Sequence, residues 1–169
     1  TTNCGFAAID PHGDLARRIT GLIPDKDIPR LIYFDPGDPT WIPRWNPISA
    51  EIGQDVSRTA DDFLHALKRT MTTGFGDRLE TFLRCGIIGV SELGGTLQDV
   101  STVLMDNSEE GLDLRRRILK RADTPFARHF WDEEIENYRS GDFQPVQHKL
   151  SKLLLKGPVA DMLRQPENR

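Results

Sequence analysis

The sequence predicts a mostly α-helical protein with a small α/β part at its start. Three observations carry this. Residues 5–10 are a continuous apolar run and residues 31–34 a short one rich in β-formers, with a helical pattern between them. From Val56 to Leu163, apolar residues recur at helical spacing, broken only by turn signals. Between the two regimes, Pro36, Pro39, Pro43 and Pro47 make a stiff, extended connector. The expected layout is a partial parallel sheet of about two strands in residues 1–48 and an all-α bundle in residues 49–169.

The first strand is expected over Gly5 to Asp10, because a continuous apolar run is the mark of a strand buried on both faces. Pro11 and Gly13 end it, and Asp14 is placed to cap the next helix by accepting free amides of its first turn. Leu15, Ile19, Leu22 and Ile23 give that helix an apolar side, with Arg17 and Arg18 on the wet side. Pro24 to Asp27 reads as a loop and Leu31 to Phe34 as the second strand, so a right-handed parallel crossover is the default connection. In the connector, Trp41, Ile42 and Trp45 read as anchors that pin it to the body of the protein; ligand stacking is the alternative.

Seven helices follow. Val56 to Met71 carries one apolar stripe and Gly74-Phe75-Gly76 breaks it; Leu79 to Val90 is a second, more buried helix ended by Gly94-Gly95. Thr96 is placed to cap a third, with Leu97, Val100, Val103 and Leu104 inside, and residues 109–121 form a fourth around Leu112, Ile118 and Leu119. Thr124-Pro125 starts a fifth helix carrying Phe126, Phe130, Trp131, Ile135 and Tyr138, closed by Gly141. Val146 to Leu154 is a sixth, and Gly157-Pro158 opens a short seventh that ends at Leu163. No fixed-period repeat is visible, so the helices form a bundle rather than a solenoid.

The totals bound the function. The 22 basic and 26 acidic side chains leave a net charge of −4, which is not the footprint of a protein that coats nucleic acid with its whole surface. The two cysteines, Cys4 and Cys85, lack metal or redox spacing and fit buried thiols in a reducing compartment. No run approaches the roughly 18 apolar residues of a membrane span, and a cytoplasmic location is expected. The chain has no initiator Met and opens almost at once on an apolar strand, from which we expect a piece of a longer polypeptide.

Two clusters bear chemistry. Asp10-x-His12-x-Asp14 at a strand end shares its look with the first motif of metal-dependent phosphoesterases, but no Asn-His pair follows to complete a two-metal site. The plainer reading makes Asp10 and Asp14 organisers of the turn and leaves His12 exposed; no metal ligand and no catalytic residue is assigned. Arg115, Arg116, Arg117, Lys120 and Arg121 form the densest basic cluster and suit nucleic-acid phosphates or an acidic partner. A solvated helix face is the plainer reading, since Glu109, Glu110 and Asp113 precede the bases as the helix dipole favours. Gly-x-x-x-x-Gly-Lys-Ser/Thr occurs nowhere, so these residues contain no phosphate loop.

The ordered series Gly5 to Leu15, then Leu31-Ile32-Tyr33-Phe34-Asp35-Pro36-x-Asp38, then Trp45-Asn46-Pro47-Ile48 resembles the DPHGDL-type branch of the FtsK/HerA superfamily. That branch includes the coupling ATPases of type IV secretion and conjugative DNA transfer. Phe75 to Glu80, Thr96 to Val100, Phe130-Trp131 and Pro145 to Leu155 extend the resemblance over nearly the whole chain. The resemblance implies part of a P-loop NTPase sheet followed by the inserted all-α domain, in a hexameric motor whose phosphate loop and magnesium-positioning strand lie outside these residues. It implies ATP and magnesium for the parent but no cofactor held by this chain. It also implies other subunits as partners, contact of the helical domain with DNA or a secreted substrate complex, and a membrane reached only through other parts. Asp10, His12, Gly13 and Asp14 would then lie near the nucleotide or a neighbouring subunit.

Two other classes stay open: a stand-alone helical interaction module, and the metal-dependent hydrolase. Two parallel strands are too few to be stable alone, so the strands are expected to pair with another copy or be covered by helices, or the first forty-odd residues to be poorly ordered.

Overall fold

The computed structural model describes residues 5–38, 40–50, 55–71, 74–105, 107–166 and 168. Cys4 and Pro39, which belonged to the first strand and the connector as read from sequence, lie outside these residues. The described residues are mostly helical, 65% of them, and the chain divides between Asp35 and Pro36 into two units.

In the first unit the expected two-stranded sheet does not form. Residues 5–10 and 31–35 run without regular structure, and no backbone hydrogen bond joins them among the described residues. None of the described residues 5–35 is buried: Phe6 is 74% exposed, Ile9 96% and Ile32 92%. The reason is physical. A parallel strand needs a neighbour for its backbone and a layer on each face for its side chains, and two such segments supply neither. The intervening helix, α1 (Asp14–Thr20), is shorter than the apolar pattern suggested and stops at Gly21. The expected loop after it is instead a 3₁₀ turn, Asp25–Arg30.

The second unit contains α2 (Val56–Thr70), α3 (Asp77–Glu92), α4 (Leu97–Met105), α5 (Glu109–Arg121), α6 (Pro125–His129), α7 (Gln144–Leu154) and α8 (Pro158–Leu163). Their starts follow from local chemistry. Asp55 accepts the amide of Ser57 at 2.9 Å, Ser108 that of Gly111 at 3.4 Å, and Thr124 that of Ala127 at 3.1 Å ahead of Pro125. At α4 the roles differ from expectation. The Asp99 carboxylate accepts both the backbone N–H of Thr96 (2.7 Å) and its hydroxyl (3.0 Å).

Helix α3 is the centre. It packs against α2, α4, α5 and α7, and Phe82, Leu83, Ile87 and Val90 are almost wholly buried. Two glycines set how near its neighbours come. A Cβ on Gly86 would stand 3.0 Å from Val100, and one on Gly89 only 2.6 Å from Ile118 of α5. Ion pairs Lys68–Glu80 (2.6 Å) and Asp61–Arg84 join α2 to α3 at the surface.

The expected fifth helix is a composite. After α6 the path widens into a π-helical turn, Phe130–Glu134, and tightens to a 3₁₀ turn, Ile135–Asn137. This turns Phe130, Trp131 and Ile135 inward together while Phe126 stays exposed. Phe82 then meets Tyr138 edge-on and Phe143 tilted, each at 4.7 Å between ring centroids, and Phe130 at 6.3 Å. Leu112, expected inside α5, is exposed.

Candidate functional site

The turn at Asp10 is built by one carboxylate. Asp10 accepts the backbone N–H of His12 at 3.1 Å through Oδ1, and those of Leu15 (2.8 Å) and Ala16 (3.0 Å) through Oδ2. It therefore caps α1 from four residues upstream, in the role the sequence suggested for Asp14; Asp14 is itself the first helical residue. Gly13 makes this possible by taking φ +83°, a left-handed conformation costly for any residue with a Cβ. The amides, that of Ala16 first, hold the Asp10 carboxyl below its ordinary value. His12 and Asp14 are exposed beside the turn. At this helix start the Leu15 and Ala16 amides are taken by Asp10.

The basic cluster of α5 separates into two kinds of side chain. Arg115 donates through Nε to the carbonyl of Val103 at 2.7 Å and through Nη1 to Asn107 at 3.0 Å, closing the last turn of α4. Arg121 donates to the carbonyl of Glu92, the last residue of α3. Arg128 does the same for Ala122 after α5 (2.8 Å) and Arg164 for Leu154 at the end of α7. Four helix C-termini are thus closed by a guanidinium arriving from elsewhere in the bundle, where orphan carbonyls and the dipole both favour a cation. Arg116 bonds the Leu112 carbonyl of its own helix at 3.2 Å, and Arg117 and Lys120 are exposed on the outer face. Of the five residues, Arg116, Arg117 and Lys120 are exposed and bond no other helix, and they form a basic face; Arg121 is exposed too but is spent on the end of α3.

Trp45-Asn46-Pro47-Ile48 works differently from the sequence reading. Trp41 and Trp45 are about half exposed, while Pro43, Asn46 and Ile48 are buried and hold the connector down. Asn46 Oδ1 accepts the amide of Ile48 at 3.2 Å, and its carbonyl accepts that of Ser49 at 3.1 Å, a turn with proline at its second position. The other half of the side chain reaches out: Nδ2 donates to the carbonyls of Gly95 (2.9 Å) and Pro166 (3.3 Å). The backbone N–H of Asn46 donates to Oδ1 of Asn168 at 2.7 Å. Ser91 of α3 closes the group by donating to the Ile48 carbonyl at 2.7 Å.

The remaining features are mainly structural. Cys85 is buried in α3, and burial first, then the charge of Glu134, pushes its thiol up to about 12, which keeps it protonated near neutrality. Burial and nearby Asp123 raise the Glu92 carboxyl. The Tyr138 hydroxyl donates to Glu134, which raises its pKa. Lys149 lies buried with its ammonium 5.0 Å from the centre of the Phe75 ring. A shallow cleft of about 410 Å³ is lined by Asp38, Ile42, Leu155, Lys156, Gly157, Pro158, Asp161 and Arg164. Asp161 and Arg164, one turn apart at α8, pair at 3.3 Å. Among the described residues no three His, Cys, Asp or Glu side chains converge as a metal group, and no helix is long and apolar enough to cross a membrane.

Sequence reasoning named Asn46 only within the Trp45 to Ile48 motif, and Arg115 and Arg121 only as part of the basic cluster; it gave none of them a capping or bridging role, and it did not name Arg128 or Arg164. For Asn46 a signal existed, since Asn before Pro favours a turn. For the arginines none did, because their acceptors lie up to 29 residues away. No family model, no curated protein and no solved structure matches this chain.

Proposed function

We propose that this chain is a section of a hexameric translocating ATPase of the FtsK/HerA coupling-protein kind, acting at the cytoplasmic side of a membrane, with residues 36–169 as its substrate-contacting helical domain. The observation that carries this reading is the contrast at residues 5–9 and 31–34. Both are apolar, β-forming segments with their side chains in water, and no sheet pairing is found for them among the described residues. Such segments are suited to the interior of a parallel sheet supplied by the rest of a polypeptide. The ordered motifs that resemble the family agree with this. On this reading ATP and magnesium are held by other parts of the motor, His12 and Asp14 face a neighbouring subunit, and Arg116, Arg117 and Lys120 offer a basic face to DNA or a transfer substrate. This chain alone is not catalytic.

The test lies in the natural polypeptide. Its coding sequence just before Thr1 is expected to specify a strand ending in Gly-x-x-x-x-Gly-Lys-Ser/Thr, and the purified whole protein to hydrolyse ATP faster when DNA is added. A polypeptide with no such loop and no ATP turnover overturns the reading. The stand-alone interaction module would then take its place, supported by the complete core of the helical unit.

A further inference from the structure

We propose that Asn46 is a latch that joins the first and last segments of the helical unit, so that the two open and close together. The chain begins this unit through the connector at residues 36–48 and reaches its last described residues at Pro166 and Asn168. These segments are 120 and 122 residues apart in sequence where Asn46 bonds them. Yet they lie side by side, and the same side chain also holds the turn between α3 and α4 at Gly95.

Three features make this a latch rather than one polar contact among many. Asn46 is 2% exposed, so its bonds compete with little water. Its amide is used at both ends: the oxygen fixes the local turn and the nitrogen bonds both distant carbonyls. Lastly, the neighbours are arranged for it. Pro47 restricts the backbone of Asn46 to the extended region, and Ile48, wholly buried, anchors the turn in the core below. No aspartate could replace Asn46 here, because its second oxygen would face two carbonyl acceptors.

The consequence is mechanical. A domain hung on two independent tethers turns freely; one hung on two joined segments moves with them. In the motor proposed above, the helical unit would follow displacements of the core through this single joint. That use rests on the motor reading, but the latch itself does not, and it is measured without nucleotide.

The test is amide hydrogen exchange on the 169-residue chain, comparing wild type with Asn46→Asp and Asn46→Ala. Each variant is expected to speed exchange by about tenfold or more in residues 45–49 and, together with them, in 164–168, while α3 amides hold their rates. Asn168→Ala removes one bond only, that from the backbone N–H of residue 46, which Asn46→Ala keeps; it is expected to speed exchange at that amide and in 164–168 and to leave the Ile48 and Ser49 amides at their rates. This milder variant carries the test if Asn46→Asp does not fold. Unchanged exchange in 164–168 on replacing Asn46, or a uniform rise through α3, overturns the latch.

Discussion

Residues 5–35 and the helical unit both carry many large apolar side chains, and they treat them in opposite ways. In the helical unit Phe82, Leu83, Ile87, Leu97, Leu104 and Ile118 are within 1% of complete burial. In residues 5–35 no described side chain is buried, and Leu22 and Ile32 stand almost fully in water. The difference is one of backbone, not of composition. A helix satisfies its amides and carbonyls within its own segment, so a few helices suffice to enclose a core. A strand depends on others for its hydrogen bonds and for both its faces, so two strand-like segments with one short helix enclose nothing.

The largest test of that contrast is truncation of a big side chain on each side of it. Phe82→Ala is expected to lower the stability of the helical unit by about 3–5 kcal/mol in urea unfolding, because the ring sits among Phe130, Tyr138 and Phe143. Phe6→Ala or Ile9→Ala should leave the same transition within about 0.5 kcal/mol. Comparable losses from both would erase the distinction between the units.

A smaller effect sharpens the picture inside the helical unit. Arg115→Ala leaves the last carbonyls of α4 without their cap and is expected to cost about 1–2 kcal/mol. Arg117→Ala, on the outer face of the same helix, should change stability by less than about 0.5 kcal/mol. If the two variants melt alike, the division of the basic cluster into capping and surface residues is wrong.

The thiol of Cys85 offers a pH reading of the same core. Folding raises its pKa from 9.0 to about 12, so above pH 9 the native chain keeps a proton that the unfolded chain releases. This contribution to stability is whole below pH 9 and is lost as pH rises toward 12. Alkylation at pH 8 should accordingly proceed at the rate of global unfolding, followed by mass spectrometry; rapid labelling of the folded chain would show the core to be open.

The smallest and most local effect belongs to the first unit. Asp10→Ala should speed exchange at the Leu15 and Ala16 amides and leave the melting of the helical unit unchanged. Because those amides lower the Asp10 pKa, the turn gains its support above the ordinary carboxylate value and loses it as pH falls through the lowered one. A shift of the helical transition on replacing Asp10 would mean that the units do not behave separately.

Most of the helical unit was legible because its signals are local. Apolar spacing marked each helix, and Asp55, Ser108 and Thr124 announced their starts within three residues of the amides they cap. The π-helical turn at Phe130–Glu134 was not legible, because an extra residue per turn is favoured only by where Phe130, Trp131 and Ile135 must pack. The tryptophans misled for a related reason. Size makes Trp41 and Trp45 plausible anchors, but Asn46 and Ile48 are held by partners on other segments.

By itself the sequence determined that the chain is mostly helical, where its helices begin, and that residues 5–10 and 31–34 have the composition of strands. Whether those segments become strands was a tertiary question, since pairing and covering layers must come from elsewhere. The tertiary structure alone also decided that Arg115 and Arg121 close the ends of other helices, and that buried Asn46 is tied to residues 95, 166 and 168. Such bonds join groups far apart along the chain, and no short stretch of sequence carries the information about both ends.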